Sequence, residues 1–190
     1  MNKIIIFFIV TLFSVNVKSQ SQHLKFKEIP INGNLSEFIT KMKVEGFVLK
    51  EVEGNIAIMS GLFVGKKSDI YIVASPKSKT VWKVSVNLPD ESTWYSLKSS
   101  YNTFKSQFSK KYGDPTESYE FFSKPYYEGD SYEMQALSLE KCNYYSYWEN
   151  DLGIISIELS KYGNLNFSYE DKINVKISRD EKSQNIQNDI

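Results

Sequence analysis

The chain is poor in the residues that carry most enzyme chemistry. Its 190 residues include one Cys, one His and one Arg. With Cys142 alone, no disulfide can close within the chain, so the fold has to be held by its core. A zinc site draws three or four ligands from Cys, His and carboxylate, and one Cys with one His nearly excludes a structural one. A Ser-His-Asp triad or a Cys–His pair would have to use His23, which stands in a lead-in read here as flexible. Arg179 is the sole guanidinium, so bidentate recognition of phosphate is almost out of reach. No Gly-rich phosphate loop occurs. Long apolar runs are also scarce: there is one, over 4–13, and it is shorter than the roughly 20 residues that span a bilayer.

That run has a targeting pattern. Met1, Asn2 and Lys3 open the chain, the apolar stretch follows, and Val17-Lys18-Ser19 offers modest side chains to a signal peptidase. The expectation is a leader over 1–19, cut before Gln20, and an exported protein that is periplasmic or secreted. No Cys follows the apolar run, so a bacterial lipid anchor is not expected. Removing Lys3 and Lys18 leaves 21 basic against 23 acidic residues, a net charge near −2. A nucleic-acid binder would instead carry a basic stripe.

What is present is a repeated grammar of one helix followed by short strands. Asn34 can cap a helix over 34–45, with Glu37 three residues on and Leu35, Phe38, Ile39 and Met42 at helical spacing. Strand signals follow at 47–52, 56–63, 70–74 and 81–88, separated by turns. The second half opens with Ser92 or Thr93 as cap and Trp94, Leu97, Tyr101, Phe104 and Phe108 at steps of three and four. Gly113 and Pro115 stop that helix. Strands are expected at 117–122, 143–149, 154–160 and 165–170, and 131–139 reads as a short helix or as part of a long strand. Trp82, Val84, Val86 and Leu88 alternate with Lys83, Ser85 and Asn87, which means one buried sheet face and one wet one. Leu24-Lys25-Phe26 can form an edge strand.

The expected fold class is therefore α+β: two helix-plus-antiparallel-meander units, with helices on one face of the sheet and the other face open. The division is 1–19 leader, 20–32 lead-in, 33–89 first unit, 90–173 second unit and 174–190 polar tail, frayed from Arg179. Trp94 and Phe104 are expected to be buried against the sheet.

Several stretches carry a resemblance. They are the segment from His23 to Ile31, the first helix through Phe47, Ser60-Gly61-Leu62-Phe63-Val64-Gly65, and the second helix ending in Lys111-Tyr112-Gly113-Asp114-Pro115. Together they resemble a family of small exported proteins of gut Bacteroides. The resemblance implies export and a shared fold, and it implies no activity. In architecture alone, tandem helix-plus-meander units are similar to the β-lactamase inhibitor proteins, which bind other proteins on an open sheet; such likeness is a weak warrant for function.

Candidate chemistry is thin. Ser138-Leu139-Glu140-Lys141 matches Ser-x-x-Lys, but the companion motifs of penicillin-binding enzymes are missing. Glu117, Glu120, Glu149, Asp151, Glu170 and Asp171 are the carboxylates a hydrolase could pair, and nothing in their spacing brings two together. Cys142 reads as a small buried hydrophobe. The aromatic content stands out: 13 Tyr, crowded into 112–147. Tyr and Trp suit protein interfaces and sugar platforms alike, and they also fill cores. On 143–149 the odd positions hold Asn143, Tyr145, Tyr147 and Glu149, and Asn143 and Glu149 are costly to bury. The odd set is therefore expected to face water. Tyr126, Tyr127, Tyr145 and Tyr147 are the candidate binding residues, with a protein or a glycan as partner, no nucleic acid, no cofactor and no metal. The expected function is an exported, non-catalytic binding module. The alternatives are a carboxylate-based hydrolase and a purely structural envelope protein.

Overall fold

The structure, a computed structural model, describes residues 22–189, so the leader and its cleavage site lie outside the described residues. The lead-in is a small hairpin of β1 (Lys25–Phe26) and β2 (Ile29–Pro30). Lys27 and Glu28 both take positive φ, 46° and 61°, as a two-residue turn between twisted strands requires. The edge strand expected at Leu24-Lys25-Phe26 thus pairs with its own neighbour, not with the main sheet. Its apolar side is buried: Phe26 stacks on Phe63 at 5.7 Å and meets the edge of Tyr169 at 5.3 Å.

Helix α1 (Leu35–Val44) starts where expected, with the Asn34 side chain accepting from Ser36 N–H, and it buries Leu35, Phe38, Ile39 and Met42. A meander of β3 (Val48–Glu53), β4 (Ile56–Phe63), β5 (Lys66–Ala74) and β6 (Val81–Asn87) follows. Helix α2 (Trp94–Tyr112) is capped by Thr93 and ended by Gly113 at φ 88°. Then come β7 (Glu117–Phe122), the short helix α3 (Glu133–Ser138), β8 (Cys142–Asn150), β9 (Gly153–Leu159) and β10 (Leu165–Asp171). At 131–139 the helical alternative holds. The Asp130 carboxylate takes Tyr132 N–H, and Glu133 reaches back to Gly129 N–H.

The two meanders form one eight-stranded antiparallel sheet, ordered β3-β4-β5-β6-β10-β9-β8-β7. The last strands of the two units make the seam, with Val86 opposite Phe167 and Val84 opposite Tyr169. One face carries the core under α1 and α2: Met59, Ile70, Ile72, Val84, Val86, Ile155, Ile157 and Phe167 are all at or below 1% exposure. Alternation puts Tyr71, Ser85, Asn166 and Glu158 on the other face.

Three expectations change. Trp82 is not on the core face: Ala74 pairs with Val81 and Val73 with Lys83, so Trp82 is the extra residue of a β-bulge. Val81 takes the buried place, and the Trp82 ring lies beside Lys83 and Lys182. On α2, Leu97 and Tyr101 are fully buried, whereas Trp94 and Phe104 flank that line and are only partly covered. The polar tail is helical: α4 (Lys172–Asp189) packs against β6, β10 and β9. A helix this polar is held by hydrogen bonds from its first turn and its middle. Asn174 donates to Ile31 O and Val81 O, and the Glu181 carboxylate accepts from Lys77 N–H at 2.7 Å.

Candidate functional site

The open face can be read in rows, because directly opposed residues share a side. One row runs Tyr119, Tyr145, Glu158, Asn166, Asn87 and Asp69 across β7, β8, β9, β10, β6 and β5. The next runs Glu117, Tyr147, Ser156, Ser168, Ser85 and Tyr71. The face is thus a floor of small polar side chains with rings on both flanks. The floor is bonded within itself: Asn166 donates to Ser85 Oγ at 3.1 Å and to Asn87 Oδ1. Ser168 Oγ is buried and has no hydrogen-bond partner among the described residues.

Even positions of β8 up to Trp148 face the core and odd ones the open side, as expected. Tyr144 and Trp148 are 4% and 3% exposed, while Tyr145 and Tyr147 keep part of their surface in solvent. Tyr145 contacts Tyr147 at 5.8 Å and lies near-parallel to Tyr119 at 6.4 Å, so three rings form one patch at the β7–β8 end. Desolvation raises the Tyr145 and Tyr147 hydroxyls above their ordinary range, and the Tyr119 hydroxyl is raised chiefly by its bond to the Glu117 carboxylate. Desolvation by its neighbours also lifts the Glu158 carboxyl, although that residue keeps solvent contact and Lys83 pulls the other way.

The four tyrosines named from the sequence do not form one surface. Tyr126 packs on the core of the helix-covered side. The same loop reaches that side through Glu128, which takes a bond from core-facing Tyr144 and pairs with Lys98 of α2. Tyr127 is exposed but has no ring contact to Tyr145 or Tyr147 among the described residues. Tyr119 takes their place. The signal for it was available: it alternates on 117–122 in the strand beside β8. Most of the other rings are core. Trp94, Tyr101 and Phe122 all pack edge-on around Tyr144.

His23 is not loose. Its Nδ1 lies 3.1 Å from Asp171 Oδ2 and its Nε2 2.8 Å from Asn32 Nδ2. An amide nitrogen can only donate, so Nε2 accepts and Nδ1 carries the proton given to Asp171. With Nε2 so engaged, the ring is set as a pin and not as a general base. Asp171, at 0% exposure, also accepts from Leu24 N–H and Asn174 N–H. Cys142 is buried, and desolvation pushes its thiol up to about 12.

No family model, no curated protein and no solved structure matches this chain. The chemistry has to be read from its own residues. Among those described, no group of three His, Cys, Asp or Glu is placed to hold a metal ion. No described helix is long and apolar enough to cross a membrane. Of the candidate carboxylates, Glu120 is held by Lys105 and Glu170 by Lys83, and Asp171 belongs to the His23 network. Glu149 and Glu170 line a cavity of about 300 Å³ against α4, with Ile154, Val175 and Arg179.

Proposed function

We propose that the chain is an exported, non-catalytic binding module that grips a protein or glycan on its open sheet face. The observation that carries this reading is the patch of Tyr119, Tyr145 and Tyr147. Tyr145 meets both Tyr119 and Tyr147 on the face that α1 and α2 leave uncovered, beside hydrogen-bonding side chains. Grouped exposed rings of this kind usually mark contact with a partner. The rings also offer broad area at little entropic cost, since each has few torsions to fix. Export fits the leader expected over 1–19 and a composition with a single thiol, which is buried.

Tagged protein, incubated with culture supernatant and envelope fractions, tests this directly. The unchanged protein should retain a discrete protein or carbohydrate species, and a Tyr145→Ser/Tyr147→Ser variant with unchanged circular dichroism should lose it. Identical retained species for the two proteins would refute the assignment of the face. The N-terminus of the exported protein should be Gln20 by mass spectrometry.

A further inference from the structure

The sheet has two outer strands, and they are treated differently. β3 is interrupted by a bulge at Lys50, between Leu49 and Glu51, and carries Lys50, Glu51 and Glu53 in close succession. Bulges and charges are the usual means of keeping an edge from pairing with another chain. β7 has no bulge: its register against β8 is unbroken from Glu117 to Phe122. Residues 117–121 are all exposed, so no element among the described residues covers this edge.

The backbone shows which groups are left over. Ser123 N–H donates to Lys141 O at 2.7 Å, directly opposite in the register. Hydrogen-bonded pairs alternate along an antiparallel ladder, so Glu117, Tyr119 and Phe121 bond inward to β8. The N–H and C=O of Ser118 and Glu120 therefore point out of the sheet.

We propose that β7 is a dimerisation edge, pairing antiparallel with β7 of a second copy about a two-fold axis at Tyr119. Opposed residues must share a face, so only residues of like parity can meet. Two such registers give the longest overlap. One sets Glu120 against Glu120 of the second copy and is disfavoured by repulsion. The other sets Tyr119 against Tyr119, Ser118 against Glu120 and Glu117 against Phe121, and no like charges oppose. That register also supplies its own counter-charge. Lys105 Nζ lies 2.7 Å from Ser118 Oγ and 2.5 Å from Glu120, so it stands between its own Glu120 and the one brought opposite Ser118. The outward groups of Ser118 and Glu120 bond each other across the seam, and the rings run on as Tyr145, Tyr119, Tyr119 and Tyr145. The seam is one strand wide and falls short of the roughly 1,600 Å² of a standard interface, so the dimer depends on concentration. This proposal does not rest on the binding reading above, and either can fail alone.

Cysteine trapping tests it, because the native thiol at Cys142 is buried. Under mild oxidation Tyr119→Cys should give a disulfide-linked dimer, since facing Cα atoms of a non-hydrogen-bonded pair lie within bridging distance. Ser118→Cys, whose counterpart is Glu120, should give none. Sedimentation of the unchanged protein should show mass rising towards a dimer at concentrations up to about 1 mM. Glu120→Pro should hold the protein monomeric without altering its circular dichroism, because that N–H points out of the sheet and has no partner among the described residues. The proposal is overturned by a monomer at every concentration, by cross-linking at Ser118→Cys and not at Tyr119→Cys, or by a dimer that Glu120→Pro leaves intact. If Glu120→Pro disturbs the fold, the cross-linking pair decides alone.

Discussion

Asp171→Ala should be among the most damaging single substitutions outside the apolar core. The carboxylate is fully buried and accepts three hydrogen bonds, from Leu24 N–H at 2.9 Å, Asn174 N–H at 3.0 Å and His23 Nδ1 at 3.1 Å. It therefore ties together the lead-in, the end of β10 and the first turn of α4. The bond to Asn174 N–H is an N-cap, whose loss costs about 1 kcal/mol. Hydrogen bonds to a charged group contribute about 1.5–3 kcal/mol each, and stranding the buried donors adds to their loss. Part is recovered where the loosened lead-in lets water in, so we expect a net loss of about 3–5 kcal/mol from the cap and the charge-assisted hydrogen bonds together. Urea unfolding followed by circular dichroism measures it. His23→Ala, which removes the ring from the edge of the same network, should cost less, about 1–2 kcal/mol. A loss below about 1 kcal/mol for Asp171→Ala, or equal losses for both variants, would refute the view that Asp171 organises the junction.

Gly153→Ala should destabilise by about 1–3 kcal/mol or more, because a Cβ there would stand 2.0 Å from the Glu170 carbonyl oxygen, and backbone cannot turn aside as a side chain does; a thermal midpoint equal to that of the unchanged protein would contradict the close approach. Cys142 should resist a thiol reagent at neutral pH until urea unfolds the chain, since burial suppresses its thiolate; rapid labelling of the folded protein would contradict this. Stability should fall in alkali. Burial raises Tyr101 from 10.0 to about 12 and Cys142 from 9.0 to about 12. Both groups are neutral when protonated, so their contribution is complete below the unfolded values and is lost as pH rises through 9–12, by a few kcal/mol in sum. A urea midpoint flat across that window would refute it.

Much of the fold is legible because its rules are local. Asn34 and Thr93 as caps, Gly113 as a stop and the period-two alternation of β9 and β10 each concern a few neighbouring residues, and the structure places the elements within a few residues of where those signals fall. The odd–even assignment of Tyr145 and Tyr147 succeeded for the same reason. Trp82 shows where a local rule stops: one extra residue in β6 turns its ring to the other face, and the alternation around it gives no warning. The polar helix α4 lacks an apolar stripe and is anchored by contacts to residues about 100 positions or more away.

The amino-acid order alone determined most of the alternation of buried and wet residues, the limits of α1 and α2, and the scarcity of Cys, His and Arg. Tertiary structure decided which strands meet. The β6–β10 seam joins two meanders into one sheet, Tyr119 joins Tyr145 in one patch while Tyr126 goes to the far side, and His23 meets Asp171 across 148 positions. Pairing between distant segments is set by the summed burial of both faces and by the satisfaction of every backbone group. Those quantities exist only once all the strands are in place.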